Sequence, residues 1–164
     1  MRIAVSACLL GEACRYDGQA KENEAVCALT VAHELVPVCP EVLGGLPVPR
    51  MRCEVVAGEG AVRVMDEAGE DKTAAFATGA ARAVETAREE GCELAILKSK
   101  SPSCGAGLIY DGTFSGTLVP GYGVAAQAFL AEGIPVLDED SLADFPSSVF
   151  VSASEILTQV TTPR

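Results

Sequence analysis

The chain of 164 residues contains no tryptophan, a single histidine (His33) and only four lysines. It has seven cysteines, yet no two of them form a Cys-x-x-Cys pair. These absences exclude the usual signature of structural zinc, which builds a site from ligand pairs close in sequence. Basic residues are scarce, 12 against 23 acidic ones, and the formal charge is −11. Affinity for nucleic acid rests on phosphate neutralisation by Lys and Arg, so no nucleic-acid polymer is expected as a partner. No apolar run approaches the length of a bilayer span, so no membrane partner is expected either. The first residues enter strand-like sequence at once without a cleavable leader, which predicts a cytoplasmic protein. In that reducing compartment an odd number of cysteines reads as thiols, metal ligands or catalytic groups rather than disulfides.

What is present fits one globular domain over residues 1–164, long enough to bury a sizeable core. Short apolar runs at 2–7, 35–39, 94–97 and 134–137 read as buried strands. Helical spacing covers 23–32, with Asn23 as its cap, then a long segment opened by Asp71 and closed by Gly91, and 123–132 before Gly133. The stretch 40–50 carries three prolines and two glycines and reads as a loop. Segments 54–57 and 61–65 flank Gly58-Glu59-Gly60 and predict a hairpin. Residues 108–110 read as a short strand, 111–116 as a loop and 141–145 as the start of a short helix. This order predicts an α/β fold: a mostly parallel, Rossmann-like sheet with helices on both faces and a β-hairpin insertion.

Cys8, Cys39 and Cys104 each stand just beyond one of the predicted strands. If those strands are parallel neighbours, the three thiols meet at the carboxyl edge of one sheet, where α/β folds bind ligands. Each also sits among turn residues: Ser6-Ala7-Cys8-Leu9-Leu10-Gly11, Cys39-Pro40-Glu41, and Ser101-Pro102-Ser103-Cys104-Gly105. Cys27, Cys53 and Cys92 read instead as buried fillers. Cys14 stays open between a fourth ligand and an exposed thiol. Soft thiolates suit an iron–sulfur cluster as well as zinc. Three cysteines leave one iron of a [4Fe–4S] cluster with an open position, which suits Lewis-acid chemistry.

Around the cysteines, Glu41 reads as an acid/base group or as a solvated loop carboxylate. Ser101 and Ser103 hold water or substrate, or satisfy turn amides. Arg15, Asp17 and Arg50 shape a pocket and bind polar edges of a ligand, or Arg15 and Asp17 form a loop ion pair and Arg50 is a surface charge. Lys98 and Lys100 concentrate half of the lysines in one motif. Acidic chains with basic groups near a candidate site suit a small polar or anionic ligand. Gly121-Tyr122-Gly123 lacks the third glycine of a dinucleotide fingerprint and reads as a helix start.

Three segments in order, Ser6–Gly11 with Arg15-Tyr16-Asp17-Gly18, Cys39-Pro40-Glu41 with 45–50, and Lys98–Gly105, resemble a bacterial family of formerly unknown function that includes the thiouracil desulfidases. The resemblance spans nearly the whole chain. It implies a [4Fe–4S] cluster on Cys8, Cys39 and Cys104 with one open iron. It implies Glu41 and Ser101 as acid/base and water-positioning groups, with Ser6, Arg15, Asp17, Arg50, Lys98 and Ser103 toward the substrate. The implied reaction replaces the sulfur of a thiolated pyrimidine base or nucleoside with oxygen from water. The competing readings are a non-catalytic iron–sulfur or zinc protein and a metal-free thiol protein that handles persulfide.

Overall fold

A computed structural model of the chain describes residues 1–56 and 62–142. Four strands, β1 (Arg2–Ser6), β2 (Glu34–Val38), β5 (Leu94–Leu97) and β8 (Val136–Asp138), form one sheet in the order β2-β1-β5-β8. All three pairings are parallel. Such a sheet is covered on both faces, and its strands accordingly read as continuous apolar runs. Side chains alternate between the faces. Ala4, Ala95, Leu97 and Val136 meet Ala83, Val84, Ala87, Ala126 and Phe129 of the two long helices, α3 (Thr73–Glu89) and α4 (Val124–Ala131). Ile3, Val5, Leu94, Ile96 and Leu137 meet Leu9 and Val26 on the opposite face. Val26 belongs to α1 (Glu24–Ala28), whose first turn is closed by the Asn23 side chain accepting from the Val26 amide at 3.1 Å. Each fully buried large apolar side chain here contributes about 1.5–3 kcal/mol.

Two antiparallel hairpins stand outside the sheet: β3 (Cys53–Val56) with β4 (Arg63–Asp66), and β6 (Ala106–Tyr110) with β7 (Leu118–Tyr122). The first is the expected insertion; its Gly58-Glu59-Gly60 turn lies outside the described residues, as does most of the helix expected at 141–145. The second hairpin is wider than the single strand expected at 108–110. Pro120 concealed β7: proline removes a ladder donor, yet Leu108 lies opposite it in the register. Gly121 and Tyr122 consequently belong to a strand, and only Gly123 caps the helix.

The expected loop after β2 begins instead with a helical turn, α2 (Pro40–Leu43). Proline is accepted at the first helical position because its missing N–H is an orphan there. A further short 3-10 turn, Ala7–Leu10, follows β1 and ends at Gly11 with φ +96°. Both turns lift a cysteine off the end of its strand.

Candidate active site

The order β2-β1-β5 makes the strands that precede Cys39, Cys8 and Cys104 adjacent and parallel. Connections run from β1 to β2 on one side and onward to β5 on the other, so the chain reverses direction across the sheet at β1/β5. This reversal opens a crevice beyond the strand ends. The crevice is a cavity of about 230 Å³ lined by Cys8, Cys14, Cys39 and Cys104, by Ser6, Ser101 and Ser103, and by Glu41, Arg15, Arg50 and Lys98. Tyr16, Arg52, Cys53, Lys100 and Tyr110 also stand in the wall.

The three strand-end thiols sit differently. Cys8 is buried within its 3-10 turn. Cys39 occupies the cap position of α2, and Cys14 beside it, with burial, pushes its thiol far up. Cys104 is 4% exposed, and burial pushes it up to about 12 against the opposing hydroxyls of Ser6 and Ser103. Cys14 joins this group. A hydrogen bond with Cys39 lowers its thiol, but one with Cys8, together with burial, outweighs it and raises the thiol to about 11. Cys53, expected as a filler, is buried but reaches the wall, and burial raises it to about 11.

Glu41 lies on the first turn of α2. Its Oε1 accepts from Arg50 Nε at 3.1 Å, and its Oε2 accepts from Ser103 Oγ at 2.9 Å. Arg50 is 5% exposed, and its remaining bonds go to the carbonyls of Pro47 (3.1 Å) and Cys14 (2.9 Å). A guanidinium held in this way gives Glu41 a charge-assisted partner and fixes the direction of its carboxylate. Ser101 Oγ stands 3.0 Å from Ser103 Oγ and accepts from the amides of Ser103 (3.2 Å) and Cys104 (3.1 Å). Ser103 Oγ also lies 3.6 Å from Cys104 Sγ, so it touches both the carboxylate and the buried thiol. A chain of two hydroxyls thus ends on one carboxylate.

The segment from Lys98 to Cys104 is held at both ends. The Lys98 amide donates to Ser6 Oγ at 2.8 Å. At the far end, the Val124 amide donates to the Pro102 carbonyl (2.9 Å), and those of Ala125 (2.8 Å) and Ala126 (3.1 Å) to the Ser103 carbonyl. The open amides of the α4 N-terminus therefore bind the loop's carbonyls. Gly123 makes room: a Cβ there would lie 2.5 Å from the Ser103 carbonyl group.

The structure separates the remaining candidates. Arg15 lines the cavity, 3.9 Å from Asp17, and stacks over Tyr16 with 5.7 Å to the ring centroid. Asp17 is not in the wall; its Oδ1 accepts from the Gln19 amide at 3.1 Å as a turn residue. Tyr110 had no signal in the sequence. Its hairpin is fastened by Glu54, 2% exposed, whose Oε1 accepts from the amides of Gly112 (3.0 Å) and Phe114 (3.2 Å).

Among the described residues, no three His, Cys, Asp or Glu side chains converge closely enough for one metal ion. The strand-end thiols ring a cavity instead. A soft donor set spread in this way fits a multi-iron cluster, in which each thiolate binds a different iron, better than a single zinc. Metal ligation needs the thiolate form, and the upward push on the Cys39 and Cys104 thiols is offset when a cation binds there.

The sequence model of the 2-thiouracil desulfurase family matches residues 3–141. The chain belongs to that family. The protein YbbK of Bacillus subtilis, whose own role is uncharacterised, is 39% identical over 148 residues, covering 87% of this chain and 98% of YbbK. A solved structure of the [4Fe-4S]-dependent thiouracil desulfidase TudS is 40% identical and superposes with a TM-score of 0.82. That match covers 92% of this chain and 99% of TudS. As a 2-thiouracil desulfurase family member, the chain has its mostly parallel α/β fold in common with TudS.

Proposed function

We propose that this chain removes sulfur from a small thiolated pyrimidine, a thiouracil-like base or its nucleoside, releasing the oxo compound and sulfide. The observation that carries this reading is the meeting of Cys8, Cys39 and Cys104 with the Ser101–Ser103–Glu41 chain in one cavity. Family membership and the likeness to TudS support it. Cys8, Cys39 and Cys104 would hold a [4Fe–4S] cluster, with Cys14 as a neighbouring thiol. Bound there, the cluster would supply a Lewis-acidic iron with an open position for a soft thiocarbonyl sulfur.

The protein's own groups handle the water. Glu41, paired with Arg50, is the base. A water at Ser103 Oγ passes its proton through that hydroxyl, which Ser101 holds in place, to the Glu41 carboxylate as its oxygen attacks the thiocarbonyl carbon. Thiocarbonyl and water become carbonyl and hydrogen sulfide, so no external electrons are needed. Reduced thiols at the site suit a cytoplasmic setting. Anaerobic reconstitution with iron and sulfide tests the reading, followed by loss of thiouracil absorbance and release of sulfide. Both are expected. A loaded cluster that leaves thiouracil intact removes the substrate; a chain that takes up no iron removes the site.

A further inference from the structure

The parallel register pairs Leu97 with Asp138, and one step further it sets Lys98 beside Glu139. The two side chains meet there, with Lys98 Nζ 2.5 Å from Glu139 Oε1. Lys98 Nζ also reaches the Ser99 hydroxyl (3.0 Å) and the Ser99 carbonyl (3.3 Å). An ammonium has three N–H donors, and all three are taken. Lys98 therefore has no donor left for a substrate, although it stands in the cavity wall. Glu139 is equally occupied. Its Oε1 also accepts from Ser99 Oγ at 2.9 Å, and its Oε2 from the Ser99 amide at 2.7 Å. The carboxylate is 7% exposed and the ammonium 20%, so solvent screens the pair poorly.

We propose that Glu139 is a positioning residue for this site: it neutralises Lys98, fastens the Ser99 amide, and so sets where the following segment presents Ser101 and Cys104. The role rests on the desulfuration reading for its kinetic consequence, but not for its structural one. Lys98 is then a clamp rather than a substrate ligand. The middle residue of the acidic run Asp138-Glu139-Asp140 closes the sheet edge beside the active segment.

The test is a double-mutant cycle of Glu139→Gln and Lys98→Met. Glutamine keeps an acceptor for the Ser99 amide, so the cycle isolates the charge pair. Each single variant leaves one poorly solvated charge without its partner, and the double variant leaves none. In the reconstituted enzyme each single is expected to lower kcat about tenfold or more with KM little changed, because the reacting groups are displaced while substrate contacts stay. The double variant recovers most of the loss. In the cluster-free protein, amide hydrogen exchange over 98–105 quickens in each single and slows again in the double. If Lys98→Met raises KM with kcat unchanged, Lys98 touches substrate and the proposal falls. It falls equally if Glu139→Gln leaves the exchange of 98–105 unmoved. If no variant nor the parent turns over thiouracil, the desulfuration reading fails, and exchange alone decides the role of Glu139.

Discussion

At the scale of single residues, the site is organised around what each polar group already holds. The resemblance sets Arg50 and Lys98 toward the substrate, but both are spent on protein partners. Those partners lie 9, 36 and 41 positions away, and such distances are invisible to a local reading. Ser103 changes role in the same way. It stands between Ser101 and Glu41, buried to 2% exposure. Ser103→Ala should cut turnover about tenfold to a hundredfold, because the hydroxyl chain to the base is broken. It should also cost about 1–3 kcal/mol, since the buried partners lose a hydrogen bond. Steady-state kinetics and denaturant titration measure the two effects; unchanged turnover would place Ser103 outside the proton path. The cysteines were legible because Cys8 and Cys39 follow apolar runs directly and Cys104 stands in the turn-rich segment that follows a third. Their partners Tyr110 and Cys53 were not, because separate hairpins carry them to the wall.

At the scale of elements, the cysteine and carboxylate of Cys39-Pro40-Glu41 depend on a close helix crossing. A Cβ on Gly79 of α3 would fall 1.8 Å from the Pro40 carbonyl oxygen, and one on Gly44 would fall 2.1 Å from the Ala75 carbonyl oxygen. Gly79→Ala should therefore push α2 outward, costing about 1–3 kcal/mol by overpacking and displacing Glu41. Lower thermal stability together with lost turnover is the expected pair of results; a variant with parental stability would refute the crossing. The start of α3 gives a pH-dependent contribution. Asp71 accepts from the Thr73 amide (2.8 Å) and from Arg63 Nη2 (2.9 Å). The Thr73 bonds, with Arg63, hold its carboxyl down at about 2, against an ordinary value of 3.8. A depressed folded-state value stabilises the fold above the unfolded value, and this is lost as pH falls from 3.8 through 2. An NMR titration of Asp71 should show its midpoint near the lower figure, and a midpoint near the ordinary value would dismiss these bonds. The 3.6-residue spacing of Phe76, Ala80, Val84 and Ala87 made α3 legible. The turn α2 was hidden by its prolines, because proline signals a break and a first helical turn alike.

At the scale of the whole molecule, the cavity lies at one margin of the apolar core. Two clusters of buried side chains sandwich the sheet, and Cys8 and Cys104 belong to the edges of those clusters while most core residues lie away from the cavity. The chain should therefore fold without any metal group, unlike small zinc domains whose folding is metal binding. Far-UV circular dichroism of chelator-treated protein should match that of the loaded protein, with the melting temperature rising on loading because only the folded chain offers the ring of thiols. Loss of helix signal on chelation would contradict this. The sequence by itself determined the parallel sheet and the strand-end placement of Cys8, Cys39 and Cys104, since apolar periodicity and turn residues act within a few positions. Only the tertiary structure decided that β2, β1 and β5 are neighbours, that Glu41 is joined to Ser101 through Ser103, and that Arg50 and Lys98 are held by the protein itself. Those outcomes depend on the order of strands and on hydrogen bonds between groups tens of residues apart, where packing rather than local preference sets which side chains meet.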